Sequence, residues 1–330
     1  MDAEYILGPP PGSDGTAAVM PTGRVHLFCG PSGAGKTTCL FQMIVEMQRG
    51  GKWLGYQTQW HPLAYIAFDR EEEETHETMT RIGLDPRSVP QFYPKVQLPE
   101  QGKPTDDRME QIISAVRTRY PEAKVLVFDA FFILAAHGQI NNYLYMAEWL
   151  QRARKLCKEL DITIIGIAHS PKEREGHKIT SPRQKIQGSV AGGGFTSCTV
   201  VVDFAGTADE NKRLIYVLPR NAPDEKFEMI QDERGRLVAD TKSLQDKLDY
   251  LMGFFGGLPR GGSRSTAEIC VHMEKVKISR PTVMRYLGVL MADGMVLRVK
   301  QGHYAAGPAL AGQQGQPAAQ PAPWEAADDQ

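Results

Sequence analysis

From residue 24 onward, short apolar runs alternate with amphipathic stretches. VHLFC (25–29) reads as a strand, residues 36–48 as a helix, AYIAF (64–68) as a strand and residues 72–82 as a helix. Residues 106–120 read as a further helix capped by Thr105 or Asp106, ahead of the strand VLVFD (125–129). A helical pattern over 147–160 precedes two apolar strands, TIIGIAH (163–169) and TVVVDF (199–204). Runs that are apolar on both faces and separated by helices predict an α/β domain built on a mainly parallel sheet. Beyond Phe204 the rhythm changes. RLIYVL (213–218), KFEMIQ (226–231) and RLVA (236–239) are joined by turns such as 232–235, which predicts an antiparallel extension at one sheet edge.

A second unit follows a linker read at DTKS (240–243). Helical patterns at 244–255, 266–274 and 281–293 precede MVLRVKQGHYAA, in which Gln301 and Gly302 turn a short hairpin. Three helices and a hairpin predict a winged helix-turn-helix domain over residues 244–305. The segment 306–330 is rich in Ala, Gln, Gly and Pro and ends on Glu325, Asp328 and Asp329, which predicts a disordered, acidic-tipped tail. Residues 1–21, with Pro9, Pro10, Pro11, Gly12 and Gly15, read as a flexible arm.

Composition narrows this picture. A chain of 330 residues accommodates one full α/β core and a smaller domain, and 42% hydrophobic with 23% charged residues is ordinary for a globular protein. A net charge of −1 excludes a polycation but leaves room for a local basic face. Cys29, Cys39, Cys157, Cys198 and Cys270 are scattered without metal-ligand spacing and read as reduced core thiols. No apolar run reaches membrane-spanning length and no secretory pattern opens the sequence, so the expectation is a cytoplasmic, soluble protein with no membrane partner.

The strongest chemical signal is GPSGAGKT, placed directly after a strand and before a helix. In this pattern Gly30, Pro31, Ser32, Gly33, Ala34, Gly35, Lys36, Thr37 and Thr38 wrap the phosphates of a nucleotide, expected to be ATP. Glycines let backbone N–H groups turn inward, Lys36 supplies a cation to the β- and γ-phosphates, and Thr37 supplies a hydroxyl to Mg²⁺. The Mg²⁺ site also needs a carboxylate on a neighbouring strand end, where Asp129 stands. Asp69, with Glu71 in reserve, is the candidate for orienting the attacking water, although an acidic run there also suits a solvated helix cap. His169 ends the next apolar strand, where it can sense the γ-phosphate or serve structurally.

These features, together with LPRNAP (218–223), resemble the RecA-like hexameric ATPases, particularly the DnaB-type and plasmid RepA-type helicases. The resemblance spans residues 24–239, within an ATPase domain drawn at 22–240. It implies that Asp69, Asp129 and His169 end the second, third and fourth core strands. It also implies that Arg220 is an arginine finger reaching the nucleotide of an adjacent subunit, as part of a hexamer. Leu218 and Ala222 depart from the Lys and Gly of that family segment, and Asp69 from its usual Glu.

Residues 170–189 hold Lys172, Arg174, Lys178, Arg183 and Lys185 against Glu173 and Glu175, a net of +3. In RecA-like rings this loop faces the channel, which implies contact with single-stranded DNA. Residues 243–304 hold nine Lys and Arg against five Asp and Glu, with Arg280 and Arg285 near the start of the presumed recognition helix and Arg298, Lys300 and His303 on the wing. That distribution predicts duplex DNA contact, although winged helices also serve as protein-binding modules. The leading reading is an ATP-dependent replicative helicase with DNA, further copies of the chain and replication proteins as partners. A recombinase or recombination mediator of the same fold and an ATP-switched DNA-binding regulator are the alternatives.

Overall fold

The computed structural model describes residues 4–9, 18–68, 70–94, 107–135, 142–170, 181–185, 194–206, 210–259, 262–275, 278 and 280–311. It divides into two units, residues 1–238 and 239–330.

In the first unit the apolar runs become strands and the amphipathic stretches become helices. Its elements are β1 (Tyr5–Leu7), β2 (Met20–Pro21), β3 (Val25–Gly30), α1 (Lys36–Arg49), β4 (Lys52–Trp53), β5 (Tyr56–Gln57), β6 (Leu63–Ala67), α2 (Glu72–Ile82), β7 (Gln91–Phe92), α3 (Arg108–Arg119), β8 (Val125–Asp129), α4 (Tyr143–Leu160) and β9 (Thr163–His169). They continue with β10 (Cys198–Phe204), β11 (Lys212–Pro219), β12 (Glu225–Gln231) and β13 (Leu237–Ala239). A nine-stranded sheet has the order β13-β12-β11-β10-β3-β9-β8-β6-β7. The six strands from β10 to β7 run parallel, and β11 and β12 add the expected antiparallel extension. This is the α/β core on a mainly parallel sheet that the sequence predicts. β9 lies between β3 and β8, which brings the ends of all three strands to one edge.

Alternation along each strand feeds two cores. Phe28, Val200 and Val202 face one layer with Leu40, Phe41 and Ile44 of α1; Leu27, Cys29 and Val201 face the other with Ile113, Met146 and Leu150. Every residue of β3, β6 and β8 is buried, which is why these strands read as unbroken apolar runs rather than as alternating ones.

Two boundaries differ from the sequence expectation in physically instructive ways. Residues 1–21 do not behave as a flexible arm where they are described: β1 pairs antiparallel with β2, and Ile6, Leu7, Val19 and Met20 lie in the core. The prolines and glycines of residues 9–15 separate two apolar patches, and both patches are buried. At the other end, the tail expected from residue 306 begins with a packed helical turn, Pro308–Ala311, whose Leu310 is buried. Pro308 opens that turn, where a missing N–H costs nothing.

The second unit contains α5 (Thr241–Gly256), β14 (Ser263–Ser265), α6 (Thr266–Glu274), α7 (Arg280–Ala292), β15 (Val296–Lys300), β16 (His303–Ala306) and α8 (Pro308–Ala311). Helix α5 begins inside the segment read as a linker. The three strands form an antiparallel sheet in the order β14-β16-β15, with Gly302 at φ 68° in the β15–β16 turn. Leu251, Phe255, Ile269, Met273, Val283, Leu287, Val296 and Tyr304 make a separate core. A reciprocal cap starts α6, in which Ser265 Oγ accepts from the Glu268 backbone while the Glu268 carboxylate accepts from Ser265 N–H.

All five cysteines are free thiols, and burial pushes Cys29 and Cys157 up to about 12. Among the described residues no helix is long and apolar enough to cross a membrane.

Strand β3 also buries a titratable group. His26 is fully buried, with Nε2 2.9 Å from the Pro21 carbonyl oxygen. A carbonyl only accepts, so Nε2 carries the proton, and the buried Nδ1 has no hydrogen-bond partner among the described residues. Burial lowers the His26 pKa to about 4, against roughly 6.5 for an unfolded histidine. Between those values the unfolded chain binds the proton and the folded chain does not. Stability therefore falls as the pH drops through this window, by up to about 3 kcal/mol. A His26→Gln variant, which keeps a donor for Pro21, is expected to lose that acid dependence in urea melts from pH 7 to pH 4. An equally steep decline in the variant would contradict this assignment.

Candidate nucleotide-binding site

The site begins where β3 turns into α1. Gly30 has φ 152°, and a Cβ there would stand 2.0 Å from the Val202 carbonyl oxygen of β10, so the loop leaves the sheet through a gap that admits glycine alone. Gly35, at φ 96°, is the N-cap of α1 and offers no side chain to the first turn's N–H groups, the kind of helix start that takes an anion.

Side chains from two strands and one helix then converge. Lys36, the first residue of α1, is buried and donates from Nζ to the Pro31 carbonyl at 2.9 Å. The same ammonium lies 3.4 Å from His169 Nδ1 at the end of β9. Thr37 Oγ1 donates to Asp129 Oδ2 at 3.0 Å, and Asp129 is itself buried at the end of β8. A cavity of about 210 Å³ opens over this group. Ser32, Gly33, Gly35, Lys36, Thr37, Thr38, Asp129 and His169 all line it. Of the remaining loop residues, Pro31 supplies its carbonyl to Lys36, and Ala34 is fully buried.

Several contributors were not singled out in the sequence. Tyr65 of β6 donates its hydroxyl to Asp129 Oδ2 at 2.7 Å, which fixes the carboxylate beside Thr37. Its phenol is one polar atom inside the apolar run AYIAF, and that atom was the available signal. Arg70, Thr78, Arg81 and Gln231 also line the cavity, adding two cations from the sequence just beyond β6 and from α2. Arg213, buried near the start of β11, braces the loop from behind: Nε donates to the Ala34 carbonyl at 3.3 Å and Nη2 to Gln231 Oε1 at 3.0 Å. Nη1 donates to the backbone carbonyls of Glu210 and Lys212.

Other expected residues fall elsewhere. Asp69 lies outside the described residues. Glu71 caps α2 and is exposed; it does not line the cavity, whereas its neighbour Arg70 does. Arg220 follows β11, is exposed, and donates its backbone N–H to Ser197 O at 2.9 Å. Because Arg213 pairs with Phe204 and Pro219 with Cys198, Arg220 stands at the opposite sheet end from this chain's own phosphate loop.

Lys172, Arg174 and Lys178 lie outside the described residues. Arg183 forms a half-exposed ion pair with Asp224 at 2.5 Å, and Lys185 ends the short 3₁₀ turn Pro182–Lys185. In the second unit Arg280, Arg298 and Lys300 are exposed. Arg285, the other candidate near the start of α7, is half-buried, with its guanidinium 5.5 Å from the Tyr286 ring centroid. The apolar stem of an arginine is covered readily in this way.

A helix start without a side-chain cap, a buried ammonium, and a hydroxyl beside a carboxylate form an arrangement that holds a nucleoside triphosphate. The AAA domain family matches residues 6–175. This chain belongs to the AAA domain family. As an AAA-domain protein it is a P-loop ATPase, and Lys36, Thr37, Tyr65, Asp129 and His169 all fall inside the matched span. No curated protein matches this AAA-domain chain. A solved KaiC-like protein from the hyperthermophilic archaeon Pyrococcus horikoshii OT3 is similar at 17% identity and a TM-score of 0.46, over 66% of this chain and 90% of that one.

Proposed function

We propose that this AAA-domain ATPase is an oligomeric DNA motor, a replicative or plasmid/phage-type helicase that hydrolyses ATP between neighbouring copies of the chain. The position of Arg220 carries the reading. An exposed arginine in LPRNAP, at the sheet end remote from its own phosphate loop, suits a finger offered to the next subunit's nucleotide.

Mg²⁺ fits the donors present. Thr37 and Asp129 offer hard oxygen ligands 3.0 Å apart, and Mg²⁺ accepts one or two such protein ligands alongside phosphates and water. When bound it would neutralise charge developing on the β- and γ-phosphates. Lys36 would hold the same phosphates, Tyr65 would fix the carboxylate, and His169 would face the γ-phosphate from β9.

The second unit supports the DNA part of the reading. Its succession of helix, strand, two helices and a hairpin suits a winged helix, with Arg280 at the start of the second helix of the pair and Arg298 and Lys300 on the hairpin. A ring assembled from such chains would engage duplex DNA through this unit and track one strand with the basic segment 170–189, in company with replication proteins.

The test is strand displacement on forked and tailed duplexes of defined polarity, with oligomeric state measured in parallel. The reading expects ATP-dependent displacement by a closed ring with one polarity. ATP-dependent filaments that pair strands without unwinding would replace it with a recombinase. Tight sequence-specific duplex binding without displacement would replace it with a regulator.

A further inference from the structure

Beside the phosphate loop lies a second cavity of about 420 Å³, bounded by Phe204, Ala205, Gly206, Glu210, Asn211, Lys212 and Arg213. Its size falls in the range of about 300–1,000 Å³ common for small-molecule sites. Three observations tie it to the nucleotide. First, a Cβ on Gly33 would stand 4.0 Å from Phe204 Cζ, so the ring abuts the phosphate loop. Second, Arg213, which braces Ala34 of that loop, places its guanidinium 4.6 Å from the Phe204 ring centroid. Third, Phe204 is 42% exposed although its immediate neighbours on β10 are buried.

Sheet order supplies the direction. Lys36, His169 and Asp129 gather on the β9 and β8 side of β3, where the γ-phosphate end belongs. A triphosphate laid over the loop with its γ-end there points its α-phosphate and sugar toward the opposite side. Phe204 ends β10, the neighbour of β3 on that opposite side.

We infer that Phe204 is the stacking platform for the nucleobase of ATP, with the adjoining cavity receiving base and ribose. Arg213 lines the same cavity and covers part of the ring, and the guanidinium–aromatic contact holds the platform in place. Arg213 is therefore a positioning residue for two parts of one ligand: the loop that takes the phosphates and the ring that takes the base. A stacking platform accepts any base, since every base has a π-face, and so gives affinity for nucleotides over bare polyphosphate rather than strict selectivity among them. This assignment rests on the ATP reading of the phosphate loop.

Equilibrium binding of ATP and of inorganic tripolyphosphate, each with Mg²⁺, tests it on the full chain. The wild type is expected to prefer ATP, and Phe204→Ala to weaken ATP by about 5- to 150-fold, the range for loss of one base–aromatic stack. Tripolyphosphate binding is expected to stay unchanged in that variant, and Phe204→Trp to restore ATP affinity. Equal losses for both ligands, or no loss for either, would overturn the platform while leaving the phosphate loop in place. Loss of ATP affinity in Arg81→Ala but not in Phe204→Ala would move the base to the Arg81 and Gln231 side and overturn it too. If the wild type bound neither ligand, the nucleotide reading itself would fall, and the platform with it.

Discussion

Replacing Lys36 by alanine is expected to lower ATP turnover by at least about 10²–10³-fold, the usual cost of deleting one group that stabilises charge in a transition state. Lys36 is buried at the first position of α1 and reaches both the Pro31 carbonyl and His169, so its ammonium is already held over the loop mouth before it meets phosphate. Among the described residues that line the cavity, the other cations come from elsewhere: Arg70 and Arg81 approach it from beyond β6 and from α2. Removal therefore strips the β- and γ-phosphates of the charge they meet from α1. Steady-state ATPase assays on wild type and variant, with matched thermal melts to confirm folding, provide the check. A variant retaining turnover within a few-fold would require a different phosphate-binding group.

Arg220→Ala is expected to lower turnover by about 10³- to 10⁵-fold while leaving ATP affinity near that of the wild type, since an arginine finger acts on the transition state and not on binding. The structural basis is the separation of Arg220 from its own loop. Strand β11 runs antiparallel to β10, so the chain passes the phosphate loop at Arg213 and leaves the sheet at the other end at Arg220. Arg213 near the start of β11 and Arg220 just past its end thus stand at opposite ends of the sheet. Arg213 is buried and braces this chain's loop, whereas Arg220 is exposed and available to another chain. Nucleotide binding by fluorescence titration beside the ATPase assay separates the two effects; a parallel loss of affinity would place Arg220 in ground-state binding instead.

The parts of this site that were legible in the sequence are those with local causes. GPSGAGKT announces itself by spacing, and Asp129 and His169 stand out because each is the polar residue that ends an apolar run. Sheet order then brings them together, as the resemblance to the RecA-like ATPases implies. The parts that stayed hidden have non-local causes. Tyr65 reads as one more aromatic in a buried strand until β6 is placed beside β8, which aims its hydroxyl at Asp129. Arg213 reads as the polar start of a strand until β11 folds back along β10 and buries the guanidinium behind Ala34.

The same distinction governs the misread boundaries. Tyr5–Leu7 is too short to declare itself as a strand, and its partner Met20–Pro21 lies beyond a proline- and glycine-rich interval, so only tertiary pairing reveals it. Leu310 sits in a composition of Ala, Gly and Gln that reads as unstructured, yet one leucine suffices to dock a helical turn on the second core.

The central claim, that each ATP site is completed by a neighbouring copy of the chain, is tested most directly by mixing the two inactive variants. Lys36→Ala protomers lack a working phosphate loop but keep Arg220; Arg220→Ala protomers keep the loop but lack the finger. At interfaces where an Arg220→Ala loop meets the Arg220 of a Lys36→Ala neighbour, all parts of one site are present. Mixed and re-equilibrated across a range of ratios, the two are predicted to regain ATPase activity, highest at intermediate ratios and absent at either end. A rate that stays at the level of the separate variants at every ratio, with mixed oligomers confirmed by mass measurement, would contradict the account.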